Sequence, residues 1–168
     1  TLAAIAAAEG KPVADVVMGF FSYAGLGFLP AAICVALLAT PRSRRCGGVM
    51  AIALVLGALL FTNLAKGLFG RERPSNLAFA IPQEPIFGAN SFPSGHSATG
   101  FAVAAALWLA PPGSRYDRLW QILGTVYAVG VGLSRVTRGV HWPTDVLGGA
   151  CVGILTACLA ALVWRPKA

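Results

Sequence analysis

No Asp, Glu, Lys or Arg occurs at positions 16–41, 46–65, 85–114, 119–134 or 146–164 of the 168-residue chain. Charge-free stretches of that length leave few ways to fold. A hydrocarbon core about 30 Å thick needs roughly 20 apolar residues in a helix, and a charge at its centre costs about 2.5–3.5 kcal/mol. The average agrees with the pattern: only 11% of the residues are charged, against about 25% in soluble domains. The expectation is an all-α, integral-membrane helical bundle, one domain over 1–168, with about five spans at 13–39, 48–66, 94–111, 119–138 and 144–164.

The first of these stretches is long and interrupted by Gly25, Gly27 and Pro30, which predicts an interfacial piece leading into a kinked span. Gly149 and Gly153 suit close helix packing in lipid. Because Thr1 is not an initiator Met and the first residues read as the tail of an apolar segment, a sixth span is expected to be missing or trimmed at the N-terminus. A signal peptide is not expected, since no basic region precedes that segment. Cys34, Cys46, Cys151 and Cys158 have no metal-ligand spacing and mostly fall inside spans, where cysteine acts as a small hydrophobe.

Alternating spans sort the connections into two sets. One holds 41–48, 111–118 and the tail 165–168, all short and basic. The other holds 66–96, 134–145 and the segment around Lys11, and it carries both histidines of the chain. Every candidate for chemistry thus falls at one face of the membrane. Lys and Arg number 7 on the first side and 6 on the second, or 3 once Lys66, Arg73 and Arg135 are assigned to a site. That places the first side in the cytoplasm and the site outside it, in the periplasm if the membrane is a bacterial inner membrane. The formal net charge of +7 is spread over helix ends rather than one polar face, so anionic headgroups and substrates, not nucleic acid, are the expected partners.

Three segments carry the chemistry. In SRVTRGVHWPTD, Pro143 suits the first position of a helix, which puts Asp145 in its opening turn, four residues after His141. A carboxylate on one imidazole nitrogen fixes the tautomer and leaves the other nitrogen's lone pair available, as a nucleophilic histidine requires. In FPSGH, Ser94 and Gly95 open a helix whose N-terminus attracts phosphate, and a protonated His96 there can donate to a departing alkoxide. In KGLFGRERP, Lys66 and Arg73 would join Arg135 around one anion. Arg71 and Arg138 read instead as helix-end cations snorkelling to headgroups. His96, His141 and Asp145 also compose a metal triad on paper, but three adjacent cations disfavour a metal ion, and neither a metal nor another cofactor is expected.

These residues resemble the signature of the type 2 phosphatidate phosphatase superfamily. Lys66 to Arg73-Pro74 matches K-x6-R-P, Pro93 to His96 matches P-S-G-H, and Ser134-Arg135 to His141 and Asp145 matches S-R-x5-H-x3-D. The resemblance implies a metal-independent phosphatase acting on a membrane lipid phosphate. In it His141 would be the nucleophile, Asp145 its orienting partner, and His96 the general acid that later activates water. Lys66, Arg73, Ser94, Gly95 and Arg135 would hold the phosphoryl oxygens, and Ser134 has no firm role. Transfer to an acceptor other than water, or binding and transport without turnover, stay open. Vanadate-dependent halide oxidation, also found in the superfamily, fits a membrane setting poorly. The proline-bearing stretch 70–92, with Glu84, is expected to form a rim over the headgroup.

Overall fold

The computed structural model describes residues 12–76 and 90–164, in which six helices and no strands occur. The segment around Lys11, the central part of the expected rim with Pro82, Glu84 and Pro85, and the tail 165–168 lie outside the described residues.

Helix α1 (Val13–Ala24) and helix α2 (Phe28–Ala39) meet at a 53° bend. The Gly-Leu-Gly break supplies the bend, and Pro30 then falls in the first turn of α2, where its missing N–H forfeits no helical bond. This is the interruption expected from Gly25, Gly27 and Pro30. Helix α3 runs as one rod over Arg44–Phe69, with a π-helical segment at Leu54–Phe61. It stops at Gly70, whose φ of 53° is the left-handed conformation that glycine adopts without penalty.

Helix α4 (Gly95–Leu109) is capped by Ser94, whose hydroxyl accepts from the Ser97 amide at 3.3 Å. Helix α5 (Asp117–Thr137) and helix α6 (Pro143–Val163), the latter with proline at its first position, complete the bundle. α4 is its axle. It packs against α3, α5 and α6 through small side chains, with Ala98, Ala102 and Ala106 fully buried. Gly149 and Gly153 let α6 approach it: a methyl added at Gly149 would stand 2.3 Å from the Ser94 carbonyl oxygen, and one at Gly153 2.3 Å from that of Ala98. The other faces of the bundle expose leucine, including Leu59, Leu147, Leu155 and Leu162, which suits hydrocarbon rather than water.

Span count departs from the sequence reading. α3, α5 and α6 are each long and apolar enough to cross a membrane, and the bent pair α1–α2 passes the same test jointly. α4, expected as a span over 94–111, has 15 residues and a length of about 22 Å, short of a 30 Å core. Its lack of charge reflects burial in protein, since the other helices surround it. The expected sidedness is visible: Arg42 lies beside Gly113, bringing the 40–44 and 110–116 connections to one end. Residues 70–76, 90–94 and 138–142 gather at the other.

Candidate active site

The gathering begins with main-chain bonds. After α5 ends, Gly139 turns the chain with a φ of 68°, and the Val140 and His141 amides fold back onto the Arg135 carbonyl at 3.2 and 3.1 Å. This turn places His141 under the first turn of α6, only 3% exposed. Asp145, fully buried, caps that helix by accepting the Trp142 amide at 2.9 Å through Oδ2. The same oxygen lies 3.5 Å from His141 Nδ1. The tie to α4 is direct as well: the Ser94 amide donates to the Asp145 carbonyl at 2.9 Å.

Arg73 reaches across from the segment after α3. Its Nη1 donates to the Val140 carbonyl at 3.0 Å and stands 3.1 Å from His141 Nε2, while Nη2 donates to the Asn90 carbonyl at 3.3 Å. Nδ1 therefore faces oxygen acceptors and Nε2 faces a donor, an arrangement that assigns the proton to Nδ1 and the lone pair to Nε2. Arg135, in the last turn of α5 and nearly buried, donates to the Ser22 hydroxyl of α1. Lys66, from the end of α3, interacts electrostatically with Arg73, Arg135 and Asp145. Burial in the first place, and then the Arg73 and Arg135 charges, hold the His141 imidazole below the usual histidine range, against an opposing upward pull from Asp145.

His96 follows Gly95 in the first turn of α4 and packs beside the α1–α2 bend, where a methyl added at Gly25 would lie 3.1 Å from its Cδ2. His96, Gly95 and Thr99 form the polar end of a cavity of about 510 Å³ that continues between α2 and the π-helical segment. The rest of its wall is apolar, including Leu26, Val35, Leu54 and Leu59. Ser134, a member of the sequence motif, spends its hydroxyl within α5 on the Val131 carbonyl at 2.7 Å.

Two residues enter that sequence reasoning did not assign. Arg71 does not simply snorkel to headgroups. Its Nη1 donates to Asp145 Oδ1 at 2.9 Å and to Thr144 Oγ1 at 2.6 Å, and its guanidinium lies 5.6 Å from the centre of the Trp142 ring. The Asp145 carboxylate, buried and needing a counter-charge, draws it inward. Ser91, fully buried, donates to Asp145 Oδ2 and stands 3.3 Å from His141 Nδ1. The one available signal was position: both lie within two residues of motif members, Arg73 and Pro93.

The chain has known counterparts. The sequence profile of the PAP2 superfamily matches residues 47–167. A lipid A 1-phosphatase of Porphyromonas gingivalis is 40% identical over 111 residues, covering 64% of this chain and 22% of that protein. A putative undecaprenyl-diphosphatase of Escherichia coli is 35% identical over 121 residues, covering 70% of this chain and 57% of that one. The chain therefore spans less than two thirds of the length of either relative. Among solved structures, the transmembrane PAP2-type phosphatidylglycerolphosphate phosphatase of Bacillus subtilis superposes with a TM-score of 0.73 at 28% identity, over 94% of this chain and 81% of that one. LpxE of Aquifex aeolicus superposes with a TM-score of 0.75 at 26% identity, over 89% and 86%.

Proposed function

This chain belongs to the PAP2 superfamily, the type 2 phosphatidate phosphatase superfamily, and we propose that it hydrolyses a phosphate monoester or diphosphate on a membrane lipid through a phosphohistidine at His141. One observation carries the reading. The buried His141 ring is held on its Nδ1 side by Asp145, while Nε2 meets the Arg73 guanidinium, a group shaped for phosphoryl oxygens.

The chemistry follows from those contacts. A phosphate entering between Nε2 and Arg73 takes over the guanidinium donors, with Lys66, Arg135 and the N-terminus of α4 at Ser94 and Gly95 sharing its charge. The Nε2 lone pair attacks phosphorus, the bond to the leaving oxygen breaks, and protonated His96 gives that oxygen its proton. Asp145 stabilises the positive charge that the His141 ring acquires. Neutral His96 then takes a proton from water, the water oxygen displaces His141 from phosphorus, and inorganic phosphate leaves with both histidines restored.

The lipid character of the leaving group is supported by the cavity that begins at His96 and is otherwise apolar. Relatives named for lipid A, undecaprenyl diphosphate and phosphatidylglycerol phosphate support the same substrate class. We place the site on the outer side of a bacterial plasma membrane, because 7 Lys and Arg lie in the opposite connections. A panel of lipid phosphates presented to the purified protein in mixed micelles with excess chelator tests the proposal. Phosphate release is expected, together with acid-labile label on His141 after rapid quenching. Full turnover by His141→Ala would refute it.

A further inference from the structure

Asp145 is the one fully buried carboxylate among the described residues, and both of its oxygens are occupied. Oδ1 accepts from Arg71 at 2.9 Å, and Oδ2 accepts from the Trp142 amide at 2.9 Å and from the Ser91 hydroxyl. His141 Nδ1 lies 3.5 Å from Oδ2, beyond the 2.7–3.2 Å of an ordinary N–H···O bond. It lies nearer, at 3.3 Å, to Ser91 Oγ. The hydroxyl thus sits beside both groups, bonded to Oδ2 and within reach of Nδ1. Its location is fixed by main chain, since the Ser91 amide donates to the Arg71 carbonyl at 2.7 Å, joining the two residues that grip Asp145.

A hydroxyl has one proton to donate and lone pairs to accept with. Carboxylate oxygen accepts only, and being charged it outcompetes a neutral imidazole nitrogen for that proton. Ser91 therefore turns its O–H to Asp145 and its lone pair to Nδ1, where only an N–H is welcome. We propose that Ser91 is a positioning residue for the phosphoryl-transfer histidine: with Arg71 it clamps Asp145 and holds His141 in the Nδ1–H form, leaving Nε2 unprotonated. The inference rests on the reading of His141 as nucleophile, but its structural half stands apart from turnover.

Nitrogen-15 NMR of the histidine-labelled full chain in nanodiscs reads that half directly, because the sequence contains only two histidines and His96→Gln identifies the signals of His141. The wild type is expected to show His141 as the Nδ1–H tautomer. Ser91→Ala is expected to admit a measurable fraction of the Nε2–H tautomer, held in the minority by the Arg73 guanidinium that faces Nε2, and Ser91→Thr, which keeps the hydroxyl, to remove it. In lipid phosphate hydrolysis, Ser91→Ala should lower kcat about 10–100-fold, by analogy with the partners that orient metal-bound histidines, with KM within about twofold. Because Ser91 acts through Asp145, adding Ser91→Ala to Asp145→Asn should cost no more than Asp145→Asn alone. If the Ala variant does not fold, Ser91→Cys, a weak donor of similar size, carries the same test in the same direction. Unchanged tautomer populations, or losses that multiply in the double variant, overturn the proposal. Absence of a phosphohistidine in the wild type would instead sink the functional reading while leaving the tautomer result to be judged separately.

Discussion

On the proposed function, Gly149→Ala should cost more in activity than in stability of the fold. The added methyl would stand 2.3 Å from the Ser94 carbonyl oxygen, 2.9 Å from Ser97 Cβ and 3.1 Å from the Ala98 amide nitrogen. The first and last of these are backbone at the start of α4, which cannot rotate aside as a side chain would. Relief to an ordinary contact of 3.4 Å demands a separation of about 1 Å between α4 and α6 at this level. Overpacking of this kind costs about 1–3 kcal/mol, and alanine's better helix propensity returns up to about 1 kcal/mol of that. The activity loss is larger. The Ser94 amide bond to the Asp145 carbonyl, 2.9 Å long, links the two helices at that point, so the displacement would carry Ser94, Gly95 and His96 away from His141. A misplacement of about 1 Å is worth on the order of 10² in rate. Phosphate release and thermal unfolding followed by tryptophan fluorescence separate the two effects. Gly67→Ala is the control: Gly67 is an exposed helical residue with nothing within 4 Å of its added methyl, and the substitution should leave kcat unchanged. Retention of kcat within about twofold by Gly149→Ala would refute the claim that α6 sets the position of the phosphate-binding turn.

Because burial and the neighbouring cations depress the His141 pKa, the neutral imidazole that the proposed mechanism needs persists below the usual value of about 6.5. The acid limb of kcat/KM should accordingly lie at lower pH, with activity lost as pH falls through it, and Arg73→Gln should move the His141 titration upward in an NMR pH series. Arg73→Lys should lower kcat/KM at least about tenfold, since an ammonium cannot reproduce a fork that engages Val140, Asn90 and His141 together. Orthovanadate should inhibit competitively without conferring bromide oxidation, and bromide turnover in a monochlorodimedone assay would reverse that assignment.

Much of the candidate site was legible because its residues sit at helix ends, which leave marks in sequence. Proline at position 143 fixes where α6 starts, and the start fixes Asp145 four residues from His141. Arg71 and Ser91 left no such mark. Their contacts with Asp145 cross 74 and 54 positions, and they depend on a main-chain bond between the two ends of the 71–91 connection that no local pattern encodes. The α4 discrepancy has a similar origin. Absence of charge reports exclusion from water, and the sequence does not distinguish exclusion by lipid from exclusion by neighbouring helices.

The charge arrangement bears on which ligands the proposed site favours. Lys66, Arg71, Arg73 and Arg135 gather around His141 and Asp145, so these six side chains together are positive. A divalent cation entering it would meet repulsion, whereas a phosphate dianion would meet attraction that low dielectric strengthens. Partners of the guanidinium groups include the carbonyls of Val140 and Asn90 for Arg73, the Ser22 hydroxyl for Arg135 and the Asp145 carboxylate for Arg71. Those supports come from separate segments: Ser22 from α1, Val140 from the turn after α5, and Asn90 from the far end of the 71–91 connection. In the proposed reaction the charge of these side chains would act on the transferring phosphoryl group, where stabilising the developing charge lowers the barrier.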